Sequence, residues 1–271
     1  MKWKIHAIPT GELAGTMNIL MLNSGVRPGP VPRPYGFDTE IPWYKGKVSP
    51  GVRQPVPVWL IEAAEKKILV DTGFDNAEDV LTTLDRYGIN AYCVRKPQWE
   101  LAAALEARGV RPEEIGTVII THMHFDHIGN LELFPNASII VQRDELGWAL
   151  APPTYGMFYY PEFSSHITGA RQRIRAIEGD CRIAPGVEVW KVAGHSPGLQ
   201  AVAVETASGK AVIASDNVYD YVNWEDRWPV GVYWRLDQVL AAYARYEREA
   251  DIVLPNHDWK LWEVFSDGVI G

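Results

Sequence analysis

Cysteine is scarce in this chain, since only Cys93 and Cys181 occur among its 271 residues. Because the two are far apart and form no metal-like pair, a disulfide framework and a thiolate zinc site have no support. The first residues contain no apolar run of the kind found in leader peptides, and no later stretch approaches the roughly 18 apolar residues of a membrane span. We therefore expect a soluble cytoplasmic protein whose cysteines are small apolar packing residues.

Positive charge is also in short supply. The chain has 26 Lys and Arg against 34 Asp and Glu, which gives a formal net charge of −8. Such a balance offers no basic surface for a phosphate backbone or an anionic membrane. We expect no nucleic-acid partner, no membrane partner and a small-molecule substrate. With 47% hydrophobic residues, the chain can form a large core as one domain or as two closely merged halves.

What the sequence does contain is a dense group of metal-binding side chains. Thr121–His127 reads His-x-His-x-Asp-His after its threonine. The run follows Val118–Thr121, a β-branched apolar stretch typical of a buried central strand. In layered α/β folds the loops at strand ends carry the chemistry while the strands hold them rigid. The run therefore predicts a metal site at the end of a strand.

Three more candidate ligands stand directly after other predicted strands: His195 after Val187–Val192, Asp216 after Lys210–Ser215, and His257 after Asp251–Leu254. Together the candidates offer only nitrogen and oxygen donors, which suit two borderline divalent ions. Zinc is the first choice, with manganese, iron and cobalt as alternatives. Two of the seven histidines, His6 and His166, are left out, and we expect them to be surface or packing residues.

The spacing also predicts how these ligands are shared. Two histidines that are two residues apart can point the same way from an extended segment, and a carboxylate is suited to bridge two cations. We expect Asp216 to lie between two groups: His122, His124 and His195 for one ion, and Asp126, His127 and His257 for the other. A water shared by the two ions would be largely hydroxide at neutral pH, so the implied chemistry is hydrolysis. Asp126 is the candidate to pass a proton from this hydroxide to a leaving group.

The order of predicted elements is strands, helices, strands and helices, which indicates an α/β fold of two sheets packed face to face with helices outside. We expect one hydrolase domain over residues 1–271, with two irregular segments. A Pro/Gly/aromatic loop at about residues 25–57 is either a packed surface strap or a wall of the substrate pocket. An aromatic insertion at about residues 151–163 either covers a pocket, contacts a partner subunit or packs into the core. The second alternative would make the protein a homodimer.

The ligand pattern resembles the metallo-β-lactamase superfamily, whose signature is His-x-His-x-Asp-His followed by distant His, Asp and His. The resemblance runs from Asp71-Thr72-Gly73 to His257 and implies an αββα sandwich with a dinuclear site at the edge of both mixed sheets. Within the superfamily the chain is most similar to the quorum-quenching N-acyl homoserine lactonases. The segments that carry this similarity are Pro57-Val58-Trp59, His124-Phe125-Asp126-His127, Val141-Gln142-Arg143, Ile177-Glu178-Gly179-Asp180, Pro185-Gly186-Val187 and Gly194-His195-Ser196-Pro197-Gly198.

This resemblance implies that the enzyme opens a lactone ring by attack of the shared hydroxide. Tyr219 stands three residues after Asp216, where those lactonases have a tyrosine that contacts the substrate carbonyl. By the same resemblance it would donate to the oxygen that becomes anionic, although a packed tyrosine at a strand end is the alternative. The chain departs from the family pattern at Asn256, because a glycine is common before the last histidine.

Other functions use the same ligands. The site would equally open another lactone or a cyclic amide. A glyoxalase-II-like thioesterase is expected to bind glutathione through basic residues near the C-terminus, where this chain offers mainly Lys260. A non-catalytic metal-binding protein represents a different class, against which the complete ligand set argues.

Overall fold

The computed structural model describes residues 2–15, 54–64, 66–86, 91–153, 159 and 161–271. Its strands are β1 Lys4–Gly15, β2 Gln54–Ala63, β3 Lys66–Val70, β4 Ala91–Val94, β5 Thr117–Ile119, β6 Ser138–Gln142, β7 Ile174–Ile177, β8 Cys181–Ala184, β9 Val187–Lys191, β10 Gln200–Thr206, β11 Gly209–Ile213, β12 Ile252–Leu254 and β13 Val269–Ile270. The α-helices span Ala77–Arg86, Leu101–Glu106, Arg143–Leu150, Ser164–Ala170, Tyr221–Glu225, Leu236–Glu249 and Leu261–Val264. None of the helices in these ranges is long and apolar enough to cross a bilayer.

The described strands form two mixed sheets. The first has the order β13-β1-β2-β3-β5-β6-β7, with β4 paired to β1, and the second has the order β12-β11-β10-β9-β8. Strands β3, β5, β6 and β7 are parallel to one another, and β11 is parallel to β12. Because parallel strands end at the same edge of a sheet, the residues that follow β3, β5 and β6 are brought together, as are those that follow β11 and β12.

The core lies mainly between the sheets. Apolar side chains of the first sheet, such as Trp59 and Ile61, form one buried cluster with those of the second, such as Val189 and Val202. The outer face of the first sheet packs against Leu101–Glu106. The outer face of the second packs against Leu236–Glu249. Burial of apolar surface on both faces stabilises this layered arrangement. The predicted αββα sandwich is therefore confirmed.

Most predicted elements are present with small shifts at their ends. The sequence from Arg143 to Leu150 predicts a helix, and the structure has one with the same bounds. Pro97 at the start and Gly109 at the end predict a helix from Pro97 to Arg108, but the structure has a 3₁₀ turn at Pro97–Trp99 followed by Leu101–Glu106. Strands β7 and β8 were not predicted from the sequence. They have few fully buried positions, so they lack the continuous apolar run that marks a central strand.

The two irregular segments lie largely outside the described residues. Residues 54–57, at the end of the predicted loop, belong instead to β2, so that part of the prediction is wrong. Prolines normally indicate a loop, but Pro55 and Pro57 flank a bulge in the pairing with β1, where proline is tolerated. Residues 25–53, 154–158 and 160 are not among the described residues. Within the aromatic segment Tyr159 and Phe163 are buried, as core packing requires.

Candidate metal centre and active site

The candidate ligands meet at one edge of the sandwich. The histidine-rich run follows β5, and the later candidates follow β9, β11 and β12. Two hydrogen bonds from Gln200 join the sheets directly below the run: its backbone N–H donates to Thr121 O at 2.9 Å, and its side-chain amide donates to Ile120 O at 2.8 Å. The strand ends therefore fix the positions of side chains from distant parts of the sequence relative to one another.

Three histidines form the first group of ligands. His124 Nδ1 lies 3.0 Å from His122 Nε2 and 3.0 Å from His195 Nε2. Burial lowers the pKa of all three imidazoles. Neighbouring histidines lower the pKa of His122 and His124 further. The nitrogens of a tetrahedral zinc site are about 3.3 Å apart, given Zn–N bonds of about 2.0–2.1 Å. Three neutral imidazoles at this spacing fit one metal ion.

The second group combines two histidines with a carboxylate. His127 Nε2 lies 3.7 Å from Asp126 Oδ1, and His257 Nε2 lies 4.0 Å from Asp126 Oδ2. The opposite ring nitrogens are occupied, because His127 Nδ1 donates to Asp71 Oδ2 and His257 Nδ1 donates to Pro55 O, both at 2.8 Å. These two hydrogen bonds fix each ring so that its Nε2 faces the ligand group.

His127 provides the sharpest sign that this group is built for a cation. Its Nε2 is buried and has no hydrogen-bond partner among the described residues, which is rare for a buried polar atom. Burial lowers the pKa of His127, but the carboxylates of Asp126, Asp71 and Asp216 outweigh burial and hold the pKa well above its usual value. The same carboxylates favour any positive charge at this nitrogen, and a metal ion competes with the proton for it.

Asp216 lies between the two groups. Its Oδ2 is 3.6 Å from His195 Nε2 and 3.8 Å from His122 Nε2. Its Oδ1 is 3.5 Å from His127 Nε2 and 3.2 Å from His257 Nε2. Burial raises the pKa of this carboxyl, but the surrounding histidines outweigh burial and leave the pKa well below its ordinary range. His257 Nε2 is also 3.3 Å from Oδ2. The ionised carboxylate therefore lies within reach of both groups, as a bridging ligand would.

Tyr219 lies beside both groups. Its side chain is buried, its hydroxyl is 3.4 Å from His195 Nδ1, and its ring packs against His257. Burial raises the pKa of the phenol well above its usual value, and the nearby carboxylates of Asp216 and Asp126 raise the pKa further. The phenol is therefore neutral and retains a proton that it can donate. Its backbone carbonyl also accepts the His257 N–H at 2.7 Å.

Comparison with known proteins agrees with this geometry. A family model for the metallo-beta-lactamase superfamily matches residues 51–257, a range that contains all seven candidate ligands.

The chain belongs to the metallo-β-lactamase superfamily.

Its relatives include lactonases. It is 30% identical over 220 residues to the N-acyl homoserine lactonase AiiA of Bacillus thuringiensis subsp. kurstaki, covering 78% of this chain and 85% of the relative. It is 32% identical over 221 residues to the N-acyl homoserine lactonase of Bacillus cereus, with the same coverage of both chains. It is also 33% identical over 204 residues to human metallo-beta-lactamase domain-containing protein 1, covering 73% of this chain and 60% of that one.

Solved structures give the same result. An N-acyl homoserine lactone hydrolase with the product N-hexanoyl-L-homoserine bound at its catalytic metal centre superposes with a TM-score of 0.76 at 27% identity, covering 97% of both chains. A B. thuringiensis AiiA variant with N-decanoyl-L-homoserine at its active site gives a TM-score of 0.76 at 26% identity, with 97% of both chains covered. The predicted family, its similarity to the lactonases and the class of metal-dependent hydrolase are therefore confirmed.

Several residues around this superfamily site were missed by sequence reasoning. Asp71 accepts hydrogen bonds from His127 Nδ1 at 2.8 Å, Thr121 N at 2.7 Å and Thr121 Oγ1 at 2.8 Å. Its φ of 60° lies in the left-handed region, which is strained for a residue other than glycine and is common at functional sites. Because Asp71 directly follows β3, the same search after strand ends would have found it.

Two asparagines also support the ligands. Asn217 Oδ1 accepts the His195 N–H at 3.0 Å, and its amide donates to Val192 O at 2.6 Å. Asn256, the departure from the family pattern, donates from Nδ2 to Asp216 Oδ1 at 2.8 Å and accepts from Trp59 Nε1 at 3.2 Å. Amides adjacent to a ligand in sequence are a signal that sequence reasoning can use.

The two histidines left out of the site are elsewhere in the structure. His6 Nε2 lies 3.0 Å from Glu62 Oε1, and His166 Nδ1 lies 3.5 Å from Glu132 Oε2. Of the cysteines, Cys93 is buried and Cys181 is partly buried, and neither forms a disulfide. None of these four residues contributes to the ligand groups.

Proposed function

We propose that this chain is an N-acyl homoserine lactonase-like enzyme that opens a lactone ring with two divalent metal ions. The observation that carries the proposal is the position of Asp216, whose carboxylate lies within 3.8 Å of imidazole nitrogens from both ligand groups. The relatedness to lactonases over 78% of the chain supports the choice of substrate class.

In this proposal His122, His124 and His195 would hold one ion, Asp126, His127 and His257 would hold the other, and Asp216 would be shared between the two groups. The ions, with zinc first and manganese, iron or cobalt as alternatives, would lower the pKa of water to supply a hydroxide at neutral pH and would polarise the carbonyl. Each of the seven candidate ligand residues is at most 9% exposed, so the ions would lie in a site of low dielectric where electrostatic interactions are strong.

The chain's own groups then direct the reaction. Water adds to the ring carbonyl, the ring carbon–oxygen bond breaks, and the product is a hydroxy acid. We assign to the Tyr219 hydroxyl a hydrogen bond to the carbonyl oxygen as that oxygen becomes anionic. The Asp126 carboxylate accepts a proton from the added water and delivers it to the ring oxygen that leaves as the alkoxide.

A substrate panel tests this function. We expect the purified protein, loaded with defined zinc or manganese, to open short-chain and long-chain N-acyl homoserine lactones faster than aromatic lactones or cyclic amides. Two bound ions without turnover of any lactone, ester or amide would support the non-catalytic alternative. Turnover of a glutathione thioester but of no lactone would support the thioesterase.

A second candidate is a lactone with an aromatic substituent. Aromatic side chains lie along the first ligand group: Tyr159 packs edge-on against His124 at 4.7 Å between ring centroids, and Trp148 packs against Trp234 at 5.9 Å. Trp234 also donates its backbone N–H to His195 O at 3.0 Å. A flat apolar substituent suits such surroundings. A preference for aromatic lactones in the same panel would select this candidate.

Oligomeric state and location remain predictions. We propose a single domain that functions in the cytoplasm, with the segment at about residues 151–163 as the candidate surface for a homodimer. Sedimentation velocity measures the first property, and a monomer over the working concentration range would contradict it. Fractionation of the producing cells measures the second.

A further inference from the structure

Glu145 is a buried carboxylate that belongs to neither ligand group. It stands in the first turn of the helix Arg143–Leu150, at the edge where β6 ends, and its exposed fraction is 0%. A carboxylate without partners at such a depth is strongly unfavourable, so its surroundings must compensate for lost hydration.

Four donors surround this carboxylate. Oε1 accepts hydrogen bonds from Met123 N at 2.8 Å and from Tyr159 Oη at 2.7 Å. Oε2 accepts from Ser196 Oγ at 2.7 Å and from Gly198 N at 2.9 Å. A carboxylate has acceptor sites for all four, and two of the donors are backbone amides that cannot turn away.

The positions of these donors connect Glu145 to the three-histidine group. Met123 lies between His122 and His124, and Ser196 directly follows His195. One carboxylate therefore joins the two chain segments that supply the group. Tyr159 extends the connection, since its hydroxyl binds Glu145 while its ring packs against His124.

The segment that contains Gly198 packs closely against Glu145. A Cβ atom at Gly198 would lie 2.4 Å from Glu145 N and 2.6 Å from Glu145 Cβ, closer than non-bonded atoms can approach. The segment after His195 can approach the helix this closely only with glycine at this position.

We propose that Glu145 is a positioning residue that sets the spacing of His124 and His195, and thereby the affinity of the three-histidine group for its ion. This inference rests on the proposed two-metal function. Glu145 contacts neither ion nor substrate in this role. Asp71 has the corresponding position for the second group, because it holds His127.

Zinc affinity in competition with a chromogenic chelator tests the role without any substrate. We expect Glu145→Gln, which keeps the shape but places an amide against fixed N–H donors, to weaken one of the two bound ions about 10-fold to 100-fold. The matched control is Asp144→Asn, whose side chain is 56% exposed and pairs with Lys191. This variant should bind both ions as the wild type does. Asp71→Asn should weaken the other ion.

A double-mutant cycle identifies which ion is affected. His195→Ala already disables the three-histidine group, so adding Glu145→Gln should leave the affinity of the remaining ion unchanged. A further loss there would overturn the proposal, as would unchanged affinity for both ions in the single variant. If Glu145→Gln does not fold, Ser196→Ala removes one of the four hydrogen bonds and should weaken the same ion a few-fold, by about 1 kcal/mol of binding converted to affinity. Unchanged affinity in Ser196→Ala would then contradict the role.

The wild-type protein separates this inference from the proposed function. Fewer than two bound zinc ions in the wild type would contradict the two-metal site itself. Two ions in the wild type with the same affinities in Glu145→Gln would contradict only the role of Glu145.

Discussion

The two ligand groups lie at the same edge and share Asp216, but they differ in charge. The three-histidine group contains only imidazoles, whose pKa values are lowered by burial. In the second group the carboxylates of Asp126 and Asp216 outweigh burial and raise the pKa of His127 and His257. The first group therefore offers neutral lone pairs held by packing and hydrogen bonds, whereas the second attracts positive charge. We expect the two ions to bind with different affinities as a consequence.

Their supports differ in the same way. The rings of the second group are fixed by acceptors at Nδ1, from Asp71 and from Pro55 O. In the first group His195 Nδ1 has such an acceptor in Val232 O at 2.8 Å, and Glu145 holds the backbone on either side of the ligands. The position of the candidate ligands is therefore controlled through the rings in one group and largely through the backbone in the other.

The largest effect is expected from Asp216→Asn, which disturbs both groups at once. The variant keeps the shape but loses the negative charge that faces all four neighbouring imidazole nitrogens. We expect turnover to fall below detection and the metal content to fall below two ions per chain. Atomic emission together with a lactone-opening assay measures both. If the Asn variant still binds two ions tightly, Asp216 is not required as a bridging ligand.

Asp126→Asn should affect one group only. We expect turnover to fall about 10²-fold to 10⁴-fold through loss of the proton carrier, with weaker binding of one ion. The three-histidine group should retain its affinity, because Asp126 is not among its ligands. Chelator competition makes the comparison, and equal weakening of both ions would show that the groups are not separable.

Tyr219→Phe should leave both groups intact. Removal of the hydroxyl takes away one donor to the developing oxyanion, so we expect kcat to fall about 10²-fold to 10³-fold. Metal content should stay at two ions, since no ligand changes. Unchanged kinetics would assign Tyr219 to packing alone, as its burial against His257 also allows.

The smallest effect is expected from Asn256→Ala. This change removes the donor to Asp216 Oδ1 and leaves Trp59 Nε1 without its partner. An unsatisfied buried donor costs about 1–3 kcal/mol of unfolding free energy, and we expect metal affinity to fall by no more than about tenfold. Urea denaturation measures the free energy of unfolding, and zinc competition measures the metal affinity. A stability equal to that of the wild type would mean that Trp59 finds another partner.

The clustering of the candidate ligands was predictable because they follow strands, and strand ends converge at one edge in a layered fold. Among the supports, Asp71 follows β3 and obeys the same rule, whereas Glu145 was harder to foresee, because it acts on Met123, which is 22 positions away in sequence. No local pattern distinguishes Glu145 from an exposed acidic residue at a helix start such as Asp144. The prolines of β2 led to the wrong prediction of a loop at residues 54–57 for a related reason. The bulge that accommodates them depends on pairing with β1, which is distant in sequence.

The central claim is that two ions around Asp216 are needed to open a lactone. The most direct measurement removes all metal with a chelator and then adds zinc stepwise, following binding and turnover of an N-acyl homoserine lactone in the same sample. We predict no turnover without metal and full turnover only as the second equivalent binds. Turnover that survives complete metal removal, or that is complete after one equivalent, would contradict it.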